Sequence, residues 1–427
     1  MEKPLVSVLM VNYNKADLIG QSIESVLQQS YSNIQFLILD DGSTDESCEV
    51  IEKYARQDSR IEPYYYNENR HICAVTNEGL KKIRGQYVAR IDSDDLWTSD
   101  KLERQLEFML QKEDCRICFT GADVIDENGN NINKDDSEFF ELLNMAQMTR
   151  EENLRFFFIH GNYLFHSSVL MTKELVQELG DYNLAYCQIH DFDYWVRAVR
   201  KCELYKMDER LGAIRRFQHE RERNNSSQEQ GATVRYNNEF MFLRKHFFAD
   251  MDNKLFKDAF QIMFRYPDAS TEAELACEKA FLLCGGFKLA GMYQPLLGLM
   301  ELEKIFAVPE IAETLKTRYN YVPKTYYGEM GNHLFVDQYV KAKLDSLEVV
   351  SDTLDEVLEQ NQTLKSEIQF VNKEKKAVLE TNRKLQEEND DLRISKQNIT
   401  DSLNEIANSS AWKLTAPIRK ILDKVKK

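Results

Sequence analysis

The chain has 427 residues, 43% of them hydrophobic, with a formal net charge of −16 and a pI of about 5.1. That length carries two or three domains with a sizeable core, and the acidity excludes nucleic acid as the main partner. No apolar run is long enough to span a bilayer, and the opening "MEKPLVSVLM" lacks a secretory pattern.

Up to about residue 230 short apolar runs alternate with helical stretches. "VSVLMVNY" reads as a buried strand, and "DLIGQSIESVLQQS" as an amphipathic helix with Ile19, Ile23, Val26 and Leu27 on one face. "IQFLILDDGS" is a second strand, "DESCEVIEKYAR" a second helix and "QYVARIDSDD" a third strand. Strands separated by helices imply an α/β fold with a mostly parallel sheet, whose ligands bind at the carboxyl ends of the strands. Those ends carry Asn12-Tyr13-Asn14, Asp40-Asp41 and Asp92-Ser93-Asp94-Asp95, so polar groups gather along one edge.

Residues 231–338 are helical in pattern and carry no recognisable chemistry, so a packed helical module is expected there. From 339 to 408 a heptad appears, with one seam apolar at every repeat from Val350 to Ile406. The position three residues earlier is mixed and includes Asn361, Lys375, Asn382, Asn389 and Lys396, which favours a two-stranded parallel coiled coil. Such a dimerising stalk would be about 90 Å long. The tail 409–427 carries six basic residues against one acid, with Leu414, Ile418, Ile421, Leu422 and Val425 at helical spacing and Trp412 at the border. That pattern fits both a helix lying on an anionic membrane surface and an ordinary charged terminus. The eight cysteines are scattered, and the one close pair, Cys115-x-x-Cys118, has no second pair or histidine at zinc spacing. The expected compartment is the reducing cytoplasm, at the inner face of the cell membrane if the tail docks there.

Three carboxylates within four positions, Asp92, Asp94 and Asp95, cost free energy unless a positive charge offsets them. Carboxylate oxygens are hard ligands, and Mg²⁺ or Mn²⁺ held by one or two of them keeps positions for phosphate and water.

In this company the residues resemble the inverting family-two glycosyltransferases of the GT-A fold. "VSVLMVNYNKADLIGQSIESVLQQSY" looks like the family's opening and "LILDDGSTDES" like its nucleobase-contacting segment. "NEGLKKIRGQYVARIDSDD" looks like the approach to the metal-binding Asp-x-Asp, and "HDFDYWVRAVR" like the stretch with the catalytic base. The resemblance covers roughly residues 4–226 and places a catalytic domain at 1–230. It implies a nucleotide-diphosphate sugar donor, with Asp41 at the base and Asn12, Tyr13, Asn14, Asn77, Asp92 and Ser93 lining the donor pocket. It further implies that Asp92, Asp94 and His219 are metal ligands for Mn²⁺ or Mg²⁺, and that Asp191 is the general base toward a glycan or lipid-linked acceptor. Three positions depart from the family pattern: His190 stands for the usual Glu, His71 for Gly and Thr76 for Arg. Two other classes compete. A haloacid-dehalogenase-type phosphohydrolase also carries Asp-x-Asp, but on its first strand. A coiled-coil scaffold with an inactive head would lack intact Asp94 and Asp191.

Overall fold

The computed structural model describes residues 3–217, 230–285, 288–289, 292–293, 295–331 and 395. The expected coiled-coil and tail stretches, and His219, lie outside these residues. The elements run Val6–Asn12 (β1), Ile19–Leu27 (α1), Ile34–Asp40 (β2), Ser47–Gln57 (α2), Ile61–Tyr65 (β3), Ile72–Leu80 (α3), Tyr87–Asp92 (β4), Leu96–Trp97 (β5) and Lys101–Leu110 (α4). They continue with Ile117–Ile125 (β6), Ser137–Leu143 (α5), Arg150–Ile159 (α6), a 3₁₀ turn at His166–Ser168, Leu170–Thr172 (β7), Lys173–Leu179 (α7), His190–Val199 (α8) and Tyr205–Arg215 (β8). Gln230–Lys245 (α9) and Asn253–Phe260 (α10) come next. The last group is Glu272–Gly285 (α11), Lys288–Leu289 (β9), Met292–Tyr293 (β10), Leu296–Phe306 (α12), Pro309–Tyr319 (α13) and Pro323–Gly331 (α14).

The main sheet has eight strands in the order β3-β2-β1-β4-β7-β6-β8-β5. β1 lies parallel between β2 and β4, whereas β7 runs antiparallel to both β4 and β6. Every residue of β1 and β2 is buried, as strands covered on both faces by helices require. Val6, Val8, Met10, Phe36 and Ile38 pack against Ile19, Ile23 and Val26 of α1 and Ile51 of α2. Fully burying each such side chain contributes about 1.5–3 kcal/mol. This sheet, parallel at the start and mixed at the far side, is the α/β arrangement that the alternating pattern led us to expect.

β3, which carries no clear strand signal in the amino-acid pattern, is an edge strand that pairs with β2 alone. Its residues IEPYY are mostly half-exposed and include Pro63, so it shows neither a continuous apolar run nor clean alternation.

The chain divides into two compact units, with the break between Pro267 and Asp268. Helices α9 and α10 therefore belong with the sheet, although their helical pattern reads as continuous with that of α11 to α14. In the second unit Cys277, Ala280 and Phe281 of α11 pack on Leu299 and Leu302 of α12 and on Leu315 and Tyr319 of α13. No helix of the described residues is long and apolar enough to cross a membrane.

One core position stands out electrostatically. Lys101, at the start of α4, is fully buried; its ammonium donates to Gln105 Oε1 at 2.6 Å and lies 4.1 Å from the centre of the Trp97 ring. Burial pushes its pKa down from the usual 10.5 to about 7. Between those values the unfolded chain binds a proton that the folded chain does not, so stability rises with pH over that window. Lys101→Met should therefore be more stable than the wild type, with the gap widest below pH 7 and closing toward pH 10. Urea unfolding of both proteins across that range measures it; a pH-independent gap would contradict the assignment.

Candidate functional site

The carboxyl ends of β1 and β2 form the first wall. Asn12 Nδ2 donates to Asp40 Oδ2 at 2.8 Å, and Ser43 Oγ accepts the backbone N–H of Asn14 at 2.9 Å. Asn14 adopts a left-handed φ of 51° and its Oδ1 accepts the Thr44 N–H at 2.7 Å. Tyr13 is thereby turned outward, 43% exposed, while Asn12 and Asn14 hold the turn itself. Asp41 is buried and accepts the Arg70 N–H at 2.7 Å. Burial raises its pKa, opposed by the backbone N–H groups of Arg70 and His71. Gly42 permits this approach: its φ is +74°, and a Cβ there would lie 2.6 Å from the Glu68 carbonyl carbon.

Facing Asp41, His71 takes φ 65° and ψ 156°, a conformation natural to glycine and costly for other residues. The family's usual glycine at this position thus has a backbone reason, and this chain bears the strain. Thr76 is buried in α3 with no hydrogen bond to its hydroxyl. Asn77, expected at the donor, is instead buried in a reciprocal pair with Tyr182, donating to its carbonyl at 2.9 Å and accepting its N–H at 2.7 Å. Its amide holds the loop before α8.

At the end of β4 the three carboxylates meet different fates. Asp92 Oδ1 accepts from Arg90 Nη1 at 2.6 Å, and Asp94 Oδ2 from Lys15 Nζ at 2.8 Å. Asp95 turns into the protein, where it accepts from Ser167 Oγ at 2.5 Å and from the Arg215 N–H at 3.0 Å. Burial, then the nearby Asp94 and Asp92, push its pKa well above the usual carboxylate value. Asp95 is a structural clasp, whereas Asp92 and Asp94 remain partly exposed, and Ser93 between them is buried. Among the described residues no group of three or more His, Cys, Asp or Glu side chains could hold a metal by itself. The carboxylates of Asp92 and Asp94 offer oxygen donors, the ligand type that Mg²⁺ and Mn²⁺ prefer beside phosphate and water.

Asp191 lies in the first turn of α8. Its Oδ2 accepts from Asn162 Nδ2 at 3.0 Å and its Oδ1 from the Phe192 N–H at 2.7 Å. Burial raises its pKa; His190, the Phe192 N–H and Arg90 oppose the rise. His190 does not orient it: that ring contacts the Cys187 carbonyl at 3.1 Å and lies 5.4 Å from the His166 ring. Asn162 takes the orienting role that the family's glutamate suggested for position 190. Asp193 is ion-paired with Arg197 at 3.0 Å.

Two polar residues of one short segment tie the halves together. Asn162 holds Asp191, while Ser167 accepts the Asp92 N–H at 2.9 Å and donates to Asp95. Arg90 is buried beneath both; despite desolvation, the charges of Asp92 and Asp191 help hold its proton. Asn162 and Ser167 lie in "GNYLFHSSVLMTKELVQELGDYN", which resembles the family's acceptor-side segment, but nothing in that stretch singles out either residue. Arg90 does carry a signal, as a charged residue inside an otherwise apolar strand.

Residues 7–179 match the family model described as glycosyl transferase family 2. That stretch of the first unit resembles the family. Among relatives, a putative teichuronic acid biosynthesis glycosyltransferase, TuaG, of Bacillus subtilis is 41% identical over 132 residues, covering 31% of this chain and 52% of that protein. An uncharacterized glycosyltransferase of Haemophilus influenzae is 44% identical over 111 residues, covering 26% of this chain and 44% of that protein. The chain thus spans about half the length of these relatives. Among solved structures, S. aureus TarS 1–349 in complex with UDP-GlcNAc aligns with a TM-score of 0.46 at 16% identity, over 71% of this chain and 82% of that one. The matched family 2 segment ends before α8, so Asp191 stands beyond it.

Proposed function

We propose that the protein transfers a sugar from a nucleotide-diphosphate sugar to a hydroxyl of a glycan or lipid-linked glycan, inverting the anomeric centre, with Asp191 as general base. The observation that carries this reading is the segment bearing Asn162 and Ser167, which holds a desolvated carboxylate at one end and the Asp-x-Asp pair at the other. Asp191 would take the proton of the acceptor hydroxyl as its oxygen attacks the anomeric carbon. The bond from that carbon to the diphosphate breaks, and the nucleoside diphosphate leaves with the electron pair. Asp41 and Tyr13 would receive the nucleoside. A divalent cation on Asp94 and Asp92 would neutralise charge developing on the leaving diphosphate. Asp94 is the better candidate ligand, because Asp92 Oδ1 is already held by the buried Arg90. The name of the Bacillus relative supports cell-surface polysaccharide assembly as the setting.

Asp94→Asn should nearly abolish nucleotide release from a panel of UDP- and GDP-sugars and weaken Mn²⁺-dependent binding of the nucleoside diphosphate. Wild-type turnover that persists in excess chelator would sink the metal-assisted reading.

Asp191→Asn should leave donor affinity nearly intact and lower turnover by about 10²-fold or more. Because burial raises the Asp191 pKa and only the ionised base works, wild-type turnover should fall on the acid side at a pH above the usual carboxylate value of 3.8. A variant that keeps its rate, or loses donor binding instead, would place the base elsewhere.

For the C-terminal stretches, the apolar seam from Val350 to Ile406 and the basic tail support a parallel homodimer held by residues 339–408, with 409–427 resting on anionic lipid at the cytoplasmic face of the membrane. Each basic residue near such a surface contributes about 1 kcal/mol, so attachment should be salt-sensitive. Deleting 409–427 should keep the dimer and lose co-sedimentation with phosphatidylserine vesicles; undiminished co-sedimentation would refute the tail's role.

A further inference from the structure

Helix α8 carries the base, yet its N-terminus has no cap of its own. The N-cap residue is Ile189, whose side chain cannot accept a hydrogen bond, and the amides leading into the helix need acceptors. They find one far along the chain. Glu239, on α9 and 4% exposed, accepts the Cys187 N–H at 3.0 Å through Oε1, and the Gln188 and Ile189 N–H groups at 2.8 and 3.1 Å through Oε2. The next residue, Phe240, stacks on Phe192 with ring centres 5.9 Å apart and planes at 28°. Glu239 and Phe240 therefore grip the chain on both sides of His190-Asp191. The same loop is anchored at its other end by Asn77 on Tyr182 and by the Cys73 thiol on the Tyr186 carbonyl at 3.0 Å.

We propose that Glu239 is a positioning residue for glycosyl transfer: it clasps the three amides that lead into α8 and so fixes the Asp191 carboxylate against the acceptor hydroxyl. It does so from a helix that begins 51 residues after the matched family segment ends. The inference rests on the reading of Asp191 as general base. A charged acceptor serving three donors is stronger than a neutral cap, and it adds negative charge at the positive end of the helix dipole. Its loss would leave buried amides without partners and let the first turn of α8 shift, and small displacements of a base are costly in rate.

The test uses the full-length chain. In hydrogen–deuterium exchange, Glu239→Ala should speed exchange of the Cys187, Gln188 and Ile189 amides by at least about tenfold, with β1 and β4 unchanged. Nucleotide release from the UDP- or GDP-sugar that the wild type turns over should fall by about tenfold or more in kcat, while donor KM stays within about twofold. Glu239→Gln, which keeps one acceptor oxygen, should fall between Glu239→Ala and wild type and serves if the alanine variant folds poorly. Adding Glu239→Ala to Asp191→Asn should lower the residual rate by less than about twofold, because the group being positioned is already gone. Unchanged amide exchange, or a loss that multiplies in full onto Asp191→Asn, overturns the proposal. A wild type that releases nucleotide from no sugar overturns the transferase reading instead, and the exchange measurement then still decides whether the clasp exists.

Discussion

Crowding of negative charge at the carboxyl end of β4 is the constraint on which the rest of the site depends. Asp92, Asp94 and Asp95 cannot all be ionised side by side in a part-buried place without separate compensation. The fold supplies it in three directions. Arg90 reaches Asp92 from within the same strand, Lys15 reaches Asp94 from the turn after β1, and Ser167 with the Arg215 backbone draws Asp95 into the core. Each partner comes from a different element, so the arrangement fixes the relation of β4 to β1, to the 3₁₀ turn and to β8 at once. A group of charges that would weaken a strand end by itself becomes the joint where the sheet's two halves meet.

The left half of that joint was legible in the amino-acid sequence and the right half was not. Runs such as "VSVLMV" and "FLILD" announce buried parallel strands because both faces are covered, and the polar residues after them must then lie at one edge. Tyr13, Asp41, Asp92 and Asp94 all reach that edge. Asn77 shows where motif reading misleads: on α3 its amide points to the Tyr182 backbone, a partner 105 residues away that no local pattern discloses. The roles of Asn162, Ser167 and Glu239 were unreadable for the same reason, since each acts through a backbone group or carboxylate brought near only by the tertiary fold. Polar residues of ordinary type carry no periodic signal. The strand β3 escaped because an edge position tolerates Pro63 and half-exposed tyrosines.

His71 and His190 show how substitutions at two family positions are absorbed differently. His71 retains a backbone conformation suited to glycine, so the loop geometry survives and the side chain is what changes. At position 190 the side chain is reoriented instead, toward the Cys187 carbonyl and His166, and the orienting bond to Asp191 comes from Asn162. The first keeps a shape at a cost in strain; the second keeps a carboxylate's environment through another residue.

Counting charge shows what a diphosphate-bearing donor, as proposed above, would meet at this edge. Asp92, Asp94, Asp95 and Asp191 face Arg90, Lys15 and Arg215 as the nearby fixed cations. Burial already pushes the pKa of Asp95 well up and raises that of Asp191, which is the mark of carboxylates short of compensation. Bringing a diphosphate to this edge adds further negative charge in a region of low effective dielectric. Arg90 cannot answer it, being enclosed and already shared between Asp92 and Asp191. Lys15 could, but only by giving up its ion pair with Asp94. Under the proposed transfer, Asp94 would hold a divalent cation whose charge would offset that of the ligand. The ion pair between Lys15 and Asp94 is the compensation that the acidity of the strand end calls for in the protein by itself.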